Sequence, residues 1–142
     1  MKWISNRPLK DVSFIDAYEK EIGYHFPDDF RKCVQENNGA YAEPNVFDTR
    51  ESQEQMLNAL FSFNPTDGDS IWKLGRCWDE ADEETDRIMR KYIAFAYDPF
   101  GNTIAFDPKD DSVVFIDHET LEVEYVAPSF QAFLDKLYED ED

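Results

Sequence analysis

The chain has 142 residues, a length that suits one domain and is short for two. Its 12 Phe, 7 Tyr and 3 Trp are enough to bury a substantial core. Against 14 basic residues stand 32 acidic ones, a formal net charge of −18, so broad contact with a nucleic-acid backbone or an anionic membrane surface is excluded.

The charge is unevenly placed. Residues 1–50 carry nine acids and seven bases, whereas residues 51–142 carry 23 acids and seven bases, a net of −16. A field of that sign steers basic partners inward, and it also keeps a protein soluble. Charge alone leaves both readings open.

The whole chain, 1–142, reads as one domain with an N-terminal lead over 1–10 and a frayed acidic tail over 139–142. The lead is broken by Arg7, Pro8 and Lys10, so no apolar run of a signal peptide forms. No stretch reaches membrane-spanning length. A reducing cytoplasm is the expected compartment. Cys33 and Cys77 lie in apolar sequence without a Cys or His at metal-binding spacing, which predicts buried free thiols.

From Ser13 the pattern is helical, with Phe14, Ile15, Tyr18 and Ile22 at spacings of three and four. Gly23 ends it. Pro27 with Asp28 and Asp29 opens a second helix, which buries Phe30, Cys33 and Val34 and closes at Asn37-Asn38-Gly39. Six strand-like pieces follow, at residues 45–48, 60–63, 92–98, 102–107, 113–117 and 122–126. Gly101-Asn102 is expected to supply the positive φ of a tight turn between the third and fourth. Asp107 to Ser112 reads as a second polar turn, so these strands should run as an antiparallel meander. Residues 77–91 look like one helix with Trp78, Ala81, Ile88 and Met89 inward. The final helix begins at Pro128-Ser129 and buries Phe130, Phe133, Leu134 and Leu137. Strands in series with helices at both ends predict an α+β fold, with roughly six mostly antiparallel strands wrapped by about four helices.

Within the first two helices Glu19, Ile22-Gly23, Phe26-Pro27, Phe30 and Asn38-Gly39 follow in a set order. That order resembles the signature of the SUKH superfamily, the immunity proteins related to the fungal Smi/Knr cell-wall regulators. The hairpin of Gly101-Asn102 with Phe106-Asp107 resembles the family's central strands, and Ser129 to Leu134 its C-terminal helix. Phe26 replaces the usual Leu, Phe30 the usual Tyr, and Asn38-Gly39-Ala40 the usual Asn-Gly-Gly; each keeps the packing role. The resemblance implies a six-stranded sheet wrapped by helices. For bacterial members it implies neutralisation of a cognate polymorphic toxin, often a nuclease, by direct binding. The fungal relatives suggest the alternative of a regulatory scaffold with no toxin. The matched motifs are structural, so the resemblance assigns no binding residue.

A contact surface must come from this chain's own residues. On one helix, Asp79, Asp82, Glu83 and Asp86 would share a face. That face is either solvated or a mimic of phosphate that docks in a basic cleft. Trp72 and Trp78 flank an apolar-basic segment, and each is either core or an interface anchor. Asp107, Asp110 and Asp111 form an acidic knot around a turn. A calcium loop would need a Gly in its bend and a Glu at its end, and the segment to Ser112 lacks that Gly. His25 and His118 form no recognisable local motif with a Ser or Cys nucleophile, and the five Gly are too scattered for a phosphate loop. The expectation is a protein-binding chain, not an enzyme, with no catalytic, cofactor or metal residues. Its proposed contact set is Trp78, Asp79, Asp82, Glu83, Asp86, Asp110 and Asp111, for a toxin with a basic surface.

Overall fold

The structure, a computed structural model, describes residues 1–139. The lead contributes an edge strand, β1 (Lys2–Ile4). Helix α1 (Ser13–Ile22) starts where the Asp11 carboxylate accepts the Ser13 N–H at 2.9 Å, and it ends at Gly23 with φ 68°. Helix α2 (Asp28–Asn37) follows Pro27, which stays extended and precedes the first helical residue. Both turn one apolar face inward: Ile15, Tyr18, Phe30 and Val34 are buried. After α2 come β2 (Tyr41–Glu43), β3 (Val46–Phe47), β4 (Gln55–Met56) and β5 (Ala59–Leu60). A 3-10 turn (Ile71–Lys73) leads into helix α3 (Leu74–Asp79) and then α4 (Glu83–Lys91). Strands β6 (Ile93–Tyr97), β7 (Thr103–Asp107), β8 (Ser112–Ile116) and β9 (Val123–Ala127) precede helix α5 (Phe130–Lys136).

Seven strands form one sheet in the order β1-β2-β5-β6-β7-β8-β9, and every pair in it is antiparallel. Strands β3 and β4 make a separate antiparallel pair. Successive side chains alternate between the two faces of a strand, so β7 and β8 serve two cores. Ile104, Phe106, Val113 and Phe115 join the main core with α1, α2 and α5. Ala105, Val114 and Ile116 face the other way, where Met89 of α4 covers them. The main core is aromatic. Phe30 alone has its ring within 6.3 Å of those of Phe26, Phe63, Phe95, Phe106 and Phe130. Each such buried ring contributes roughly 1.5–3 kcal/mol of transfer free energy.

The α+β architecture and the β6–β9 meander match expectation, and several details do not. Among the described residues the strands number nine, seven of them in the main sheet, against roughly six expected, because β1, β2 and β4 are two or three residues long, too short to show a period. Among the described residues the α-helices number five, against about four expected. Residues 77–91 are not one helix: at Asp82 the backbone is extended, with φ −68° and ψ 164°, and its carboxylate accepts the Thr85 N–H at 2.8 Å. Asp82 thus caps α4 from outside. In the β6–β7 loop the positive φ belongs to Gly101. Asn102 instead donates its backbone N–H and its side-chain N–H to Asp98, both at 2.7 Å. Cys33 is half-buried and free, and burial pushes its thiol up to about 12. Cys77 is exposed, because no residue of α3 is buried. The acidic tail expected over 139–142 lies, beyond Glu139, outside the described residues.

Candidate functional site

The expected acidic face becomes a corner between α3 and α4. Arg90, in the last turn of α4, reaches back across it. Its guanidinium donates to the carboxylates of Asp79 and Asp86, the latter at 2.6 Å, and to the Gly75 carbonyl at 3.2 Å. It also stands over the Trp78 ring, 5.7 Å from the centroid. The bond to Asp86 leads the causes that raise its pKa. Two of the four acids of the expected face are therefore neutralised within the chain, and a third, Asp82, is a cap. Glu83 is exposed, as are its neighbours Glu80 and Glu84. Among the described residues no cation pairs with these three. Trp78 is half-buried and packs against Met89, so it is neither pure core nor a free anchor.

Asp110 and Asp111 sit in the β7–β8 turn and not on α3 or α4. Helix α4 runs into β6 at Ile93, which pairs with Phe106 near the end of β7. Asp82 and Glu83 begin the helix, roughly 13 Å away along its axis. Asp110 accepts the Ser112 N–H at 3.0 Å. Asp111 accepts the Tyr24 hydroxyl at 2.6 Å, from the side of the sheet that α1 covers. Burial and this carboxylate push the Tyr24 hydroxyl up. The knot is a turn: the Asp107 and Asp110 carboxylates bond within it, and Asp111 ties it to Tyr24.

Beside the corner runs a groove of about 300 Å³. Tyr18, Glu21 and Ile22 of α1 form one wall. Trp72, Gly75 and Trp78 form the other, with Arg90, Tyr92, Ile93 and Ala94 beyond. Its floor is the start of β6, past the last bond from the β5 side, in which the Phe61 N–H donates to the Phe95 carbonyl at 3.0 Å. The sequence reading missed this groove. Its local signal is Gly75, a glycine inside an otherwise apolar-basic helical segment, where a missing side chain leaves room.

Another polar cluster is structural. Asn38 is buried and donates to the Arg7 carbonyl at 2.9 Å and to Ser62 Oγ at 3.0 Å, while it accepts the Phe63 N–H at 2.8 Å. Gly39 has φ 67°, and a Cβ there would come within 2.5 Å of the Arg7 guanidinium. Arg7 in turn binds both oxygens of Asp69, which also accepts the Tyr97 hydroxyl at 2.8 Å. Burial by itself would raise the Asp69 carboxyl, but Arg7 and Tyr97 hold it below the usual carboxylate range. At the α1–α2 turn Glu19 accepts the Phe26 N–H at 2.6 Å and a bond from Arg31.

His25 is well exposed, with Nδ1 3.2 Å from Glu19. His118 Nδ1 lies 2.8 Å from the Asn102 side-chain oxygen. Among the described residues neither ring bonds a hydroxyl or thiol, and no group of three or more His, Cys, Asp or Glu is placed to hold a metal ion. No described helix is long and apolar enough to cross a membrane.

The family model of the SMI1 / KNR4 family (SUKH-1) matches residues 11–136, which runs from just before α1 to the last residue of α5. The chain belongs to that family. No curated protein matches it closely enough to name a relative. In this SUKH-1 chain the signature residues hold the fold. Glu19 locks the turn before α2, Phe30 centres the aromatic core, and Asn38-Gly39 ties the N-terminal lead to the segment after β5. Such residues report ancestry and leave the partner surface to the rest of the chain.

Proposed function

We propose that this SUKH-1 chain is an immunity protein that binds a toxin with a basic surface and blocks it in the cytoplasm, without catalysis. Family membership supports the class of role, since SUKH proteins serve as immunity proteins that bind protein toxins. The observation that carries the choice of surface is the α3–α4 corner. There Glu80, Glu83 and Glu84 remain exposed after Arg90 has taken Asp79 and Asp86. Together with Asp82 and the edge of Trp78 they present a dense anionic face to a cationic partner. Such a field raises the rate of encounter more than it lengthens the life of the complex. Asp110 and Asp111 form a second acidic patch that can add to the long-range field without sharing the contact.

The experiment is co-expression with each toxin reading frame adjacent to the gene, scored by survival and co-purification. Replacing Glu80, Glu83 and Glu84 together by Gln should slow association several-fold at low salt. It should also flatten the dependence on ionic strength. Survival without a toxin-dependent complex would leave the protein without this role, and an unchanged salt dependence would move the contact away from the corner.

A further inference from the structure

We propose that the groove between α1 and α3 is the anchor pocket for the partner, and that it takes one large aromatic or aliphatic side chain flanked by a lysine or arginine in an extended segment. This rests on the reading that the chain works by binding a protein. Three observations carry it. The pocket is of side-chain size, about 300 Å³, and its walls are Tyr18, Ile22, Trp72 and Trp78, the residue types that make well-packed interface anchor sites. Its charge is one-sided in availability. Arg90 is already held by Asp79 and Asp86, whereas Glu21 on the opposite wall is exposed and, among the described residues, has no cation in ion-pair range. A cation on the incoming segment is what that wall lacks.

The third observation is the floor. Pairing from the β5 side ends with the Phe61 N–H bond to the Phe95 carbonyl, so Ile93 and Ala94 pair with β7 as their one strand neighbour. An extended segment fits along such an edge better than a helix does. The groove also adjoins the acidic corner through Trp78 and Arg90. A basic partner drawn to the corner is therefore delivered to the groove.

Gly75 makes a clean test. A Cβ at this position meets no heavy atom within 4 Å, and glycine is a poor helix former. Gly75→Phe should therefore fill the groove without unfolding α3, and Gly75→Ala is the control that leaves it open. The probes are two synthetic peptides, acetyl-Lys-Val-Lys-Phe-Lys-Val-amide and its counterpart with Glu for each Lys, titrated into the full chain and followed by amide NMR shifts. Saturable shifts at Gly75, Ile93 and Ala94 with the Lys peptide alone are expected. Gly75→Phe and Glu21→Lys should each weaken the response about ten-fold or more, with Gly75→Ala close to wild type and melting temperatures held.

Equal response to both peptides, shifts mapping elsewhere, or no saturation would overturn the anchor pocket. So would a Gly75→Phe variant that binds the toxin as wild type does, and that result would leave the immunity role standing. Peptide capture in the groove with no toxin bound by the wild-type chain would separate the two in the other direction. A groove closed by a second copy of the chain, seen as a dimer that Gly75→Phe dissociates, also sinks the proposal.

Discussion

Arg90 stands over the indole of Trp78 while its guanidinium bonds a carboxylate from each of two helices, Asp79 of α3 and Asp86 of α4. This one side chain ties a short helix with no buried residue to its neighbour, beside the packing of Leu74 and Trp78 on the two cores. Replacing Arg90 by Ala should loosen α3 and shift tryptophan emission to longer wavelength as Trp78 gains solvent. The same change releases two carboxylates, so association with a basic partner should become faster at low salt. Stopped-flow mixing measures this directly, and a slower rate would mean that Arg90 itself touches the partner.

Asn38 makes three hydrogen bonds from a buried position. Asn38→Ala removes the partner of the Phe63 N–H and of the Arg7 carbonyl, while Ser62 Oγ keeps its bonds to Asp67 and Asn64, which should cost roughly 3 kcal/mol. Urea unfolding followed by far-UV circular dichroism measures it. A loss under about 1 kcal/mol would show that the cluster reorganises around the gap.

Phe30 touches five rings in the main core. Truncation to Ala should cost about 3–5 kcal/mol, with Phe30→Leu costing distinctly less because more of the volume is kept. Calorimetric unfolding of both variants checks the order. Equal costs would place the loss in ring-ring geometry and not in volume.

Stability should fall in acid through Asp67 and Asp69. Hydrogen bonds from Ser62 and Asn64, and the Arg7 charge, hold Asp67 below its usual range, and Arg7 and Tyr97 do the same for Asp69. A carboxyl with a depressed folded pKa stabilises the fold above its unfolded value of about 4. That stabilisation is lost as pH falls through the lower folded value. Melting temperature should be flat in this respect from about pH 7 to pH 5 and drop below about pH 4. Asp69→Asn should weaken that drop while lowering stability at neutral pH, and an unaltered acid limb would exclude this group as its cause.

Much of the fold was legible because its signals are local. The apolar spacing of Phe14, Ile15, Tyr18 and Ile22, the stop at Gly23, and the alternation through Ile104, Phe106, Val113 and Phe115 depend on neighbours a few residues apart. The same locality misled at Asp82. A run of helix formers with acids at spacings of three and four reads as one face, yet α3 ends at Asp79 and the capping bond from Thr85 to Asp82 starts another helix. Strands β1, β2 and β4 show no pattern because a strand of two or three residues is too short to alternate. Asn38-Gly39 reads as a helix stop, and its bonds to Arg7, Ser62 and Phe63 span 24 to 31 residues of sequence.

Composition and short-range order were thus sufficient for the class of fold, its principal core and an overwhelming negative charge, since each is a sum or a near-neighbour relation. Which acids stay free was settled by packing alone: Arg90 lies 11 residues from Asp79, and nothing in the linear order says that its guanidinium closes that gap. The groove likewise exists only once α1 and α3 are brought face to face over β6, because a cavity is a property of walls that are distant along the chain.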